Sequence, residues 1–140
     1  MNLLLVAGTR PNFIKLAPLY HQLKKTTDFS VKICHTGQHF DKNMSDLIFE
    51  NLQIPQPDFQ LNISGSNVAD TIGKTIIEVN NLINSNQFDL IIVFGDVNAT
   101  VAGAIAGVQN RVKVAHVEAG LRSFDRDMPE EINRVITDHI

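Results

Sequence analysis

The sequence has no tryptophan, one tyrosine and one cysteine. With Cys34 alone no internal disulfide can form, which fits a reducing compartment. Cys34 itself reads as a small buried strand residue. Long apolar runs are missing too. The opening stretch, Leu3 to Ala7, is stopped by Gly8-Thr9-Arg10-Pro11. It is far short of the roughly 20 apolar residues of a membrane-spanning helix. It also lacks the basic leader and the length of a signal peptide. A cytoplasmic protein is expected. Basic charge is sparse: the net charge is −3 and no basic run exceeds Lys24-Lys25. Nucleic acid and acidic membrane surfaces are therefore poor partners. Neither G-x-G-x-x-G nor a P-loop is present, so the dinucleotide and ATP fingerprints are absent.

What remains is an ordinary globular composition. At 140 residues the chain has the commonest size of one domain. A chain of about 150 residues buries roughly 68–70% of its unfolded surface, enough for a core without staples. Short apolar runs alternate with longer helical stretches. Leu3–Ala7 shows no polar alternation and reads as a strand buried on both faces. Asn12 to about Lys25 reads as a helix, with Phe13, Ala17, Tyr20 and Leu23 or Lys24 at helical spacing. Pro18 is expected to kink or split it. Ser30–His35 reads as a strand and Asp41–Leu52 as a helix with a stripe of Met44, Leu47 and Ile48. Pro55 and Pro57 break the chain. Asn67–Asn84 is helical, Leu90–Phe94 is the clearest central strand, and Asn98–Val108 is a helix rich in Ala and Gly, suited to close approach to a sheet. Val112–Val117 is a strand and Pro129–Ile140 a helix without a C-cap, as if cut in mid-element. The order, with one short strand before the Asn67 helix, predicts an α/β, Rossmann-like, doubly wound and mostly parallel sheet.

In such sheets ligands bind beyond the carboxyl ends of the strands. Four segments lie there: Gly8 to Asn12, Thr36 to His39, Gly95 to Asn98 and Glu118 to Arg122. Gly8 and Pro11 bracket a turn into a helix start, where free N–H groups and the dipole favour an anion. Arg10 and Lys15 add positive charge suited to a diphosphate, or are simply solvated. Asp96 follows a buried strand and is either a helix cap or a carboxylate of the cleft. Glu118 at its strand end is expected to point into the cleft, as an acid or base whose pKa burial can tune. Glu130 has an ordinary structural reading. Asp127 and Glu130 form a D-x-x-E cap arrangement, and Glu130 can pair with Arg134 one turn on. His35, His39 and His116 do not complete a metal pattern, and no metal is expected. Gln38 and His39 offer hydrogen bonds at the cleft edge.

Five segments in order resemble one family. Gly8-Thr9-Arg10-Pro11-Asn12-Phe13-Ile14-Lys15 resembles its opening G-T-R-P-x-x-I-K, and Thr36-Gly37-Gln38-His39 its second loop. Gly95-Asp96-Val97-Asn98-Ala99-Thr100 is similar to a G-D-T-N-S-T loop, from which Val97 and Ala99 depart. His116 to Arg122 and Met128 to Arg134 are the most specific matches. The likeness runs from residue 3 to residue 140 and is to the non-hydrolysing UDP-N-acetylglucosamine 2-epimerases.

The resemblance implies the amino-terminal half of a two-domain glycosyltransferase-B-type fold, with residues 1–140 as one Rossmann-like domain and the carboxy-terminal nucleotide-binding domain missing. It implies inversion at C2 of UDP-N-acetylglucosamine by UDP elimination and re-addition, without cofactor, in a cytoplasmic homodimer serving cell-surface polysaccharide synthesis. By motif match, Asp96, Glu118 and Glu130 are the catalytic carboxylates. Arg10 and Lys15, together with Asp96 and Glu118, bind substrate, and Gln38 and His39 lie near an activating effector. The missing half is expected to supply most uridine and diphosphate contacts and a further histidine, so these residues alone should be inactive. Three other readings compete: a hydrolysing relative, a non-catalytic nucleotide-sugar-binding half-protein, and a nicotinamide-dependent dehydrogenase, against which the missing glycine fingerprint speaks.

Overall fold

A computed structural model of the chain describes residues 1–37 and 42–140; side chains of 42–46 lie outside it. The elements in order are β1 (Asn2–Ala7), α1 (Arg10–Leu23), β2 (Ser30–His35), α2 (Lys42–Leu52), β3 (Phe59–Gln60), α3 (Val68–Ser85), β4 (Leu90–Phe94), α4 (Asn98–Gln109), β5 (Lys113–Val117) and α5 (Pro129–His139). The strands form one parallel sheet in the order β3-β2-β1-β4-β5. The chain winds outward from β1 to β3, then returns to place β4 on the other side of β1. The expected Rossmann-like α/β architecture is present.

The sheet explains why β1 carries no polar alternation. Leu3, Leu5 and Ala7 face one core with Phe13, Leu16 and Ala17 of α1 and Phe49 of α2. Leu4 and Val6 face the other, with Val79 and Ile83 of α3 and Ala104 and Ala106 of α4. Successive side chains point to opposite faces, and here both faces are dry. Each such fully buried aliphatic side chain contributes roughly 1.5–3 kcal/mol of burial.

The glycines of α4 let it sit against the strands. A Cβ on Gly103 would lie 3.0 Å from Val93 Cγ1, and one on Gly107 only 2.6 Å from Val114 Cγ2. The Ala- and Gly-rich composition thus has a steric purpose. Cys34 is fully buried in β2, and burial alone pushes its thiol up to about 12.

Several local expectations need correction. Pro18 does not split α1, which runs unbroken from Arg10 to Leu23. The carbonyl deprived of its donor belongs to Ile14, an exposed residue, where water can replace the lost bond. The helix also starts two residues early, because Pro11 fits the first turn. In α2 the inward residues are Phe49, Ile48 and Leu52, whereas Leu47 is exposed and Met44 lies outside the described side chains. Among the described residues no helix is long and apolar enough to cross a membrane.

Candidate functional site

Neighbouring β1, β4 and β5 end on one edge of the sheet, and the turns that follow them are stitched together by side chains. Asn12, buried in the first turn of α1, is the central stitch. Its Oδ1 accepts from the Gly8 and Thr9 amides at 3.1 and 3.3 Å, and its Nδ2 donates to the Phe94 carbonyl at 3.0 Å. Thr100 of α4 donates to the same carbonyl at 2.6 Å. The strand-end oxygen of β4 is thereby satisfied from both flanking helices, as a buried carbonyl must be.

Gly95 follows with φ +66°. A Cβ here would stand 3.1 Å from Lys15 Nζ and 3.5 Å from Glu118 Oε2. The bare glycine leaves room for the ion pair between Lys15 of α1 and Glu118 beyond β5. Glu118 itself has φ +75°, a left-handed conformation that costs a non-glycine residue energy. Its carboxylate is turned toward Lys15 rather than into the cleft.

On the other side of that turn lies a cleft of about 320 Å³. Gly8 and Thr9, Thr36, Asp96 and Asn98, and Glu130 are among its walls, with Thr71 and Thr75 of α3 closing one side. Asp96 is no helix cap: the N-cap of α4 is Val97, and no side chain caps it. Its Oδ2 accepts from Arg134 Nε and Nη2 at 3.0 and 2.8 Å. Its Oδ1 has no protein partner among the described residues. Its backbone carbonyl accepts from buried Asn133 at 2.9 Å.

The structural roles foreseen for Glu130 fall to its neighbour. The N-cap of α5 is Met128 without a side-chain cap bond, so no D-x-x-E arrangement forms. Arg134 passes Glu130 by and binds Glu131 at 2.6 Å. Glu131 is buried and also accepts from the Ser123 and Phe124 amides at 2.9 and 3.1 Å. The Ser123 and Phe124 amides and Arg134 hold its carboxyl at about 2. Glu130 is exposed on the cleft wall, with no hydrogen bond or ion pair to a described residue.

The edge therefore gathers the sequence candidates unevenly. Asp96 and Glu130 share the cleft, Lys15 and Glu118 form a pair across Gly95, and Arg10 is exposed at the head of α1 without a described partner. Gln38 and His39 lie outside the described residues. Sequence reasoning passed over Asp138, and it named Asn12, Glu131, Arg134 and His116 without assigning them the contacts they make here. Their spacing looks like ordinary helix or strand, and only the fold shows where each side chain reaches. Of the three histidines weighed for a metal, His39 lies outside the described residues, His35 Nδ1 meets Gln60 Oε1 at 2.8 Å, and His116 bridges Asp138 and Gly95. Among the described residues no three metal-ligating side chains converge.

Comparison with known proteins agrees on one family. A sequence model described as UDP-N-acetylglucosamine 2-epimerase matches residues 21–140. The UDP-N-acetylglucosamine 2-epimerase of Methanocaldococcus jannaschii is 46% identical over 140 residues, covering 100% of this chain and 38% of that protein. The UDP-2,3-diacetamido-2,3-dideoxy-D-glucuronate 2-epimerase of Pseudomonas aeruginosa is 44% identical, covering 100% of this chain and 40% of that protein. A crystal structure of the M. jannaschii enzyme in complex with UDP-GlcNAc and UDP superposes with a TM-score of 0.93, over 99% of this chain and 38% of that one. The Neisseria meningitidis enzyme bound to UDP-GlcNAc is 33% identical, with a TM-score of 0.91 over 98% of this chain and 37% of that one. The chain thus spans about two fifths of the length of these relatives.

Proposed function

Because the chain belongs to the UDP-N-acetylglucosamine 2-epimerase family, we propose that it is the amino-terminal domain of a two-domain, glycosyltransferase-B-type epimerase. In this reading a carboxy-terminal domain supplies the rest of the nucleotide site, and the whole protein converts UDP-N-acetylglucosamine to UDP-N-acetylmannosamine. It acts as a cytoplasmic homodimer serving cell-surface polysaccharide synthesis.

The observation that carries the proposal is the pairing of Asp96 and Glu130 in one cleft beyond β1 and β4. Among the described residues Glu130 has no hydrogen bond or ion pair, and Asp96 Oδ1 has no partner while its Oδ2 is held by Arg134. The β1–β4 boundary is where the winding of the sheet reverses, the usual place for a ligand in open α/β sheets.

The chemistry asks for such an arrangement. The C2–H bond of the sugar is weakly acidic. A carboxylate takes that proton while the C1–O bond breaks, and its electron pair leaves with UDP. A C1=C2 double bond remains in a 2-acetamidoglucal. Return of a proton to the opposite face of C2, with the UDP oxygen attacking C1, gives the inverted product. Two faces need proton groups on two sides, and positioned acids and bases typically contribute 10²–10⁴-fold each. We assign the proton work to the carboxylates Asp96, Glu118 and Glu130. The positive charge of Arg10 at the α1 terminus and of Lys15 in its second turn would stabilise the departing diphosphate. Gln38 and His39 are proposed to face an effector.

The decisive experiment incubates the full-length protein with UDP-N-acetylglucosamine in heavy water. UDP-N-acetylmannosamine carrying deuterium at C2 is the expected product. Free N-acetylmannosamine would identify a hydrolysing enzyme, and unchanged substrate would sink the proposal. The 44% identity to the P. aeruginosa enzyme favours a second substrate, the diacetamido-glucuronate nucleotide; a higher kcat/KM for it would replace the first. The isolated 140 residues should exchange no C2 proton.

A further inference from the structure

Asp138, in the last turn of α5, sits outside the cleft yet reaches both sides of the Glu118 turn. Its Oδ1 lies 2.6 Å from His116 Nδ1, two residues before Glu118. Its Oδ2 accepts from the Gly120 amide at 2.8 Å, two residues after it, and from Arg122 Nη1 at 2.6 Å. The other ring nitrogen of His116 lies 2.6 Å from the carbonyl of Gly95, the residue before Asp96. The His116 and Asp138 side chains are only 7% and 10% exposed. One carboxylate thus joins both proposed catalytic turns. From this we infer that Asp138 and His116 are positioning residues that fix Asp96 and Glu118 relative to each other. The inference rests on the epimerase reading.

Three features carry it. Glu118 has φ +75°, and a strained non-glycine backbone persists only where its surroundings over-determine it. The bonds at His116 and Gly120 bracket that strained residue. Next, both nitrogens of His116 face oxygen acceptors, a carboxylate and a carbonyl. Both contacts are hydrogen bonds at once only when the ring carries two N–H groups. Finally, neither residue lines the cleft holding Asp96 and Glu130, so each acts through the residues it holds. Arg134 fixes the Asp96 carboxylate from the middle of α5, and Asp138 fixes the two turns from its end. One helix indexes both.

The test uses the full-length protein with Asp138→Asn, His116→Gln and His116→Ala. Asparagine keeps the shape of Asp138 but puts a donor where an acceptor is needed. Glutamine can still donate to the Gly95 carbonyl, whereas alanine cannot. A displacement near 1 Å in an active site costs on the order of 100-fold. Asp138→Asn is therefore expected to lower kcat by about that factor with KM for UDP-N-acetylglucosamine within about twofold. His116→Gln should retain more turnover than His116→Ala. Parental kcat in Asp138→Asn and His116→Ala would overturn the inference. So would a lowered melting midpoint with kcat intact, which marks a purely structural pair. Should the parent protein turn over no sugar nucleotide, it is the epimerase reading that has failed. A crystal structure of Asp138→Asn then still decides the positioning: a displaced Glu118 backbone supports it, and an unmoved one overturns it.

Discussion

Two turns at the same edge of the sheet solve one geometric problem with different residues. After β4 the chain reverses through Gly95 at φ +66°; after β5 it does so through Glu118 at φ +75°. Glycine visits that region freely, whereas a side-chain-bearing residue pays about 1–2 kcal/mol. Stability alone would favour glycine in both turns. At Gly95 a side chain would press on Lys15 Nζ at 3.1 Å, beside the Lys15–Glu118 pair. At Glu118 the side chain is one half of that pair. The first turn is built to leave space and the second to fill it, and the strain is accepted where a charge is wanted.

The largest test of this contrast removes the charge beyond the unstrained turn. Asp96→Asn should lower kcat of the full-length protein by roughly 10²–10⁴-fold, the range for a lost acid–base group. Steady-state rates with UDP-N-acetylglucosamine check it. Gly95→Ala comes next. Its methyl group would crowd Lys15 Nζ at 3.1 Å, and the left-handed backbone would cost about 1–2 kcal/mol. Denaturant unfolding should show that loss, and because the flexible end of Lys15 need give by only a few tenths of an ångström, turnover should fall less than in Asp96→Asn.

A third test reaches the scaffold behind both turns. The Glu131 carboxyl titrates at about 2 in the fold against an ordinary 4.5. A depressed pKa stabilises the folded state fully above the unfolded value and is lost as the proton returns. This contribution is therefore present above pH 4.5 and disappears between 4.5 and 2. In Glu131→Gln the unfolding midpoint should depend less on pH across that window than in the parent. The smallest effect concerns the strained turn itself. Glu118→Gly should be more stable than Glu118→Ala by about 1 kcal/mol, because only glycine relieves the backbone. Both should lose activity alike. Equal stabilities would mean that the turn relaxes when the side chain is shortened.

The sequence made some of this legible and hid the rest for physical reasons. β4 runs from Leu90 to Phe94, as its continuous apolar run predicts, and β2 from Ser30 to His35, as the alternation of Val31 and Ile33 predicts. Continuous burial leaves an unmistakable pattern, since every residue of a central parallel strand must be apolar. The rim was legible too, because strand ends followed by Gly, Asp and Glu have a fixed place in this topology. Hidden were the destinations of long side chains. Arg134 has Glu130 one turn back on its own helix, the natural partner by spacing, yet it binds Asp96 from a distant loop. Asp138 looks like a solvated residue near a helix end and instead anchors the β5 turn. Periodicity reports which face of an element is buried; it carries no record of what lies opposite. Leu47 erred in the same way: the helical stripe of α2 was offset by one residue, and Phe49 took the buried place against Phe13 at a ring distance of 5.1 Å.

The lone thiol has a practical consequence. Cys34 is sealed in β2 and its proton is held to about pH 12, so almost none of it is thiolate, the form that alkylating reagents attack. For these residues the chain is thus a silent background for labelling. A cysteine introduced at exposed Leu121, in the turn beyond β5, would take up a maleimide dye whose fluorescence reports binding at this sheet edge.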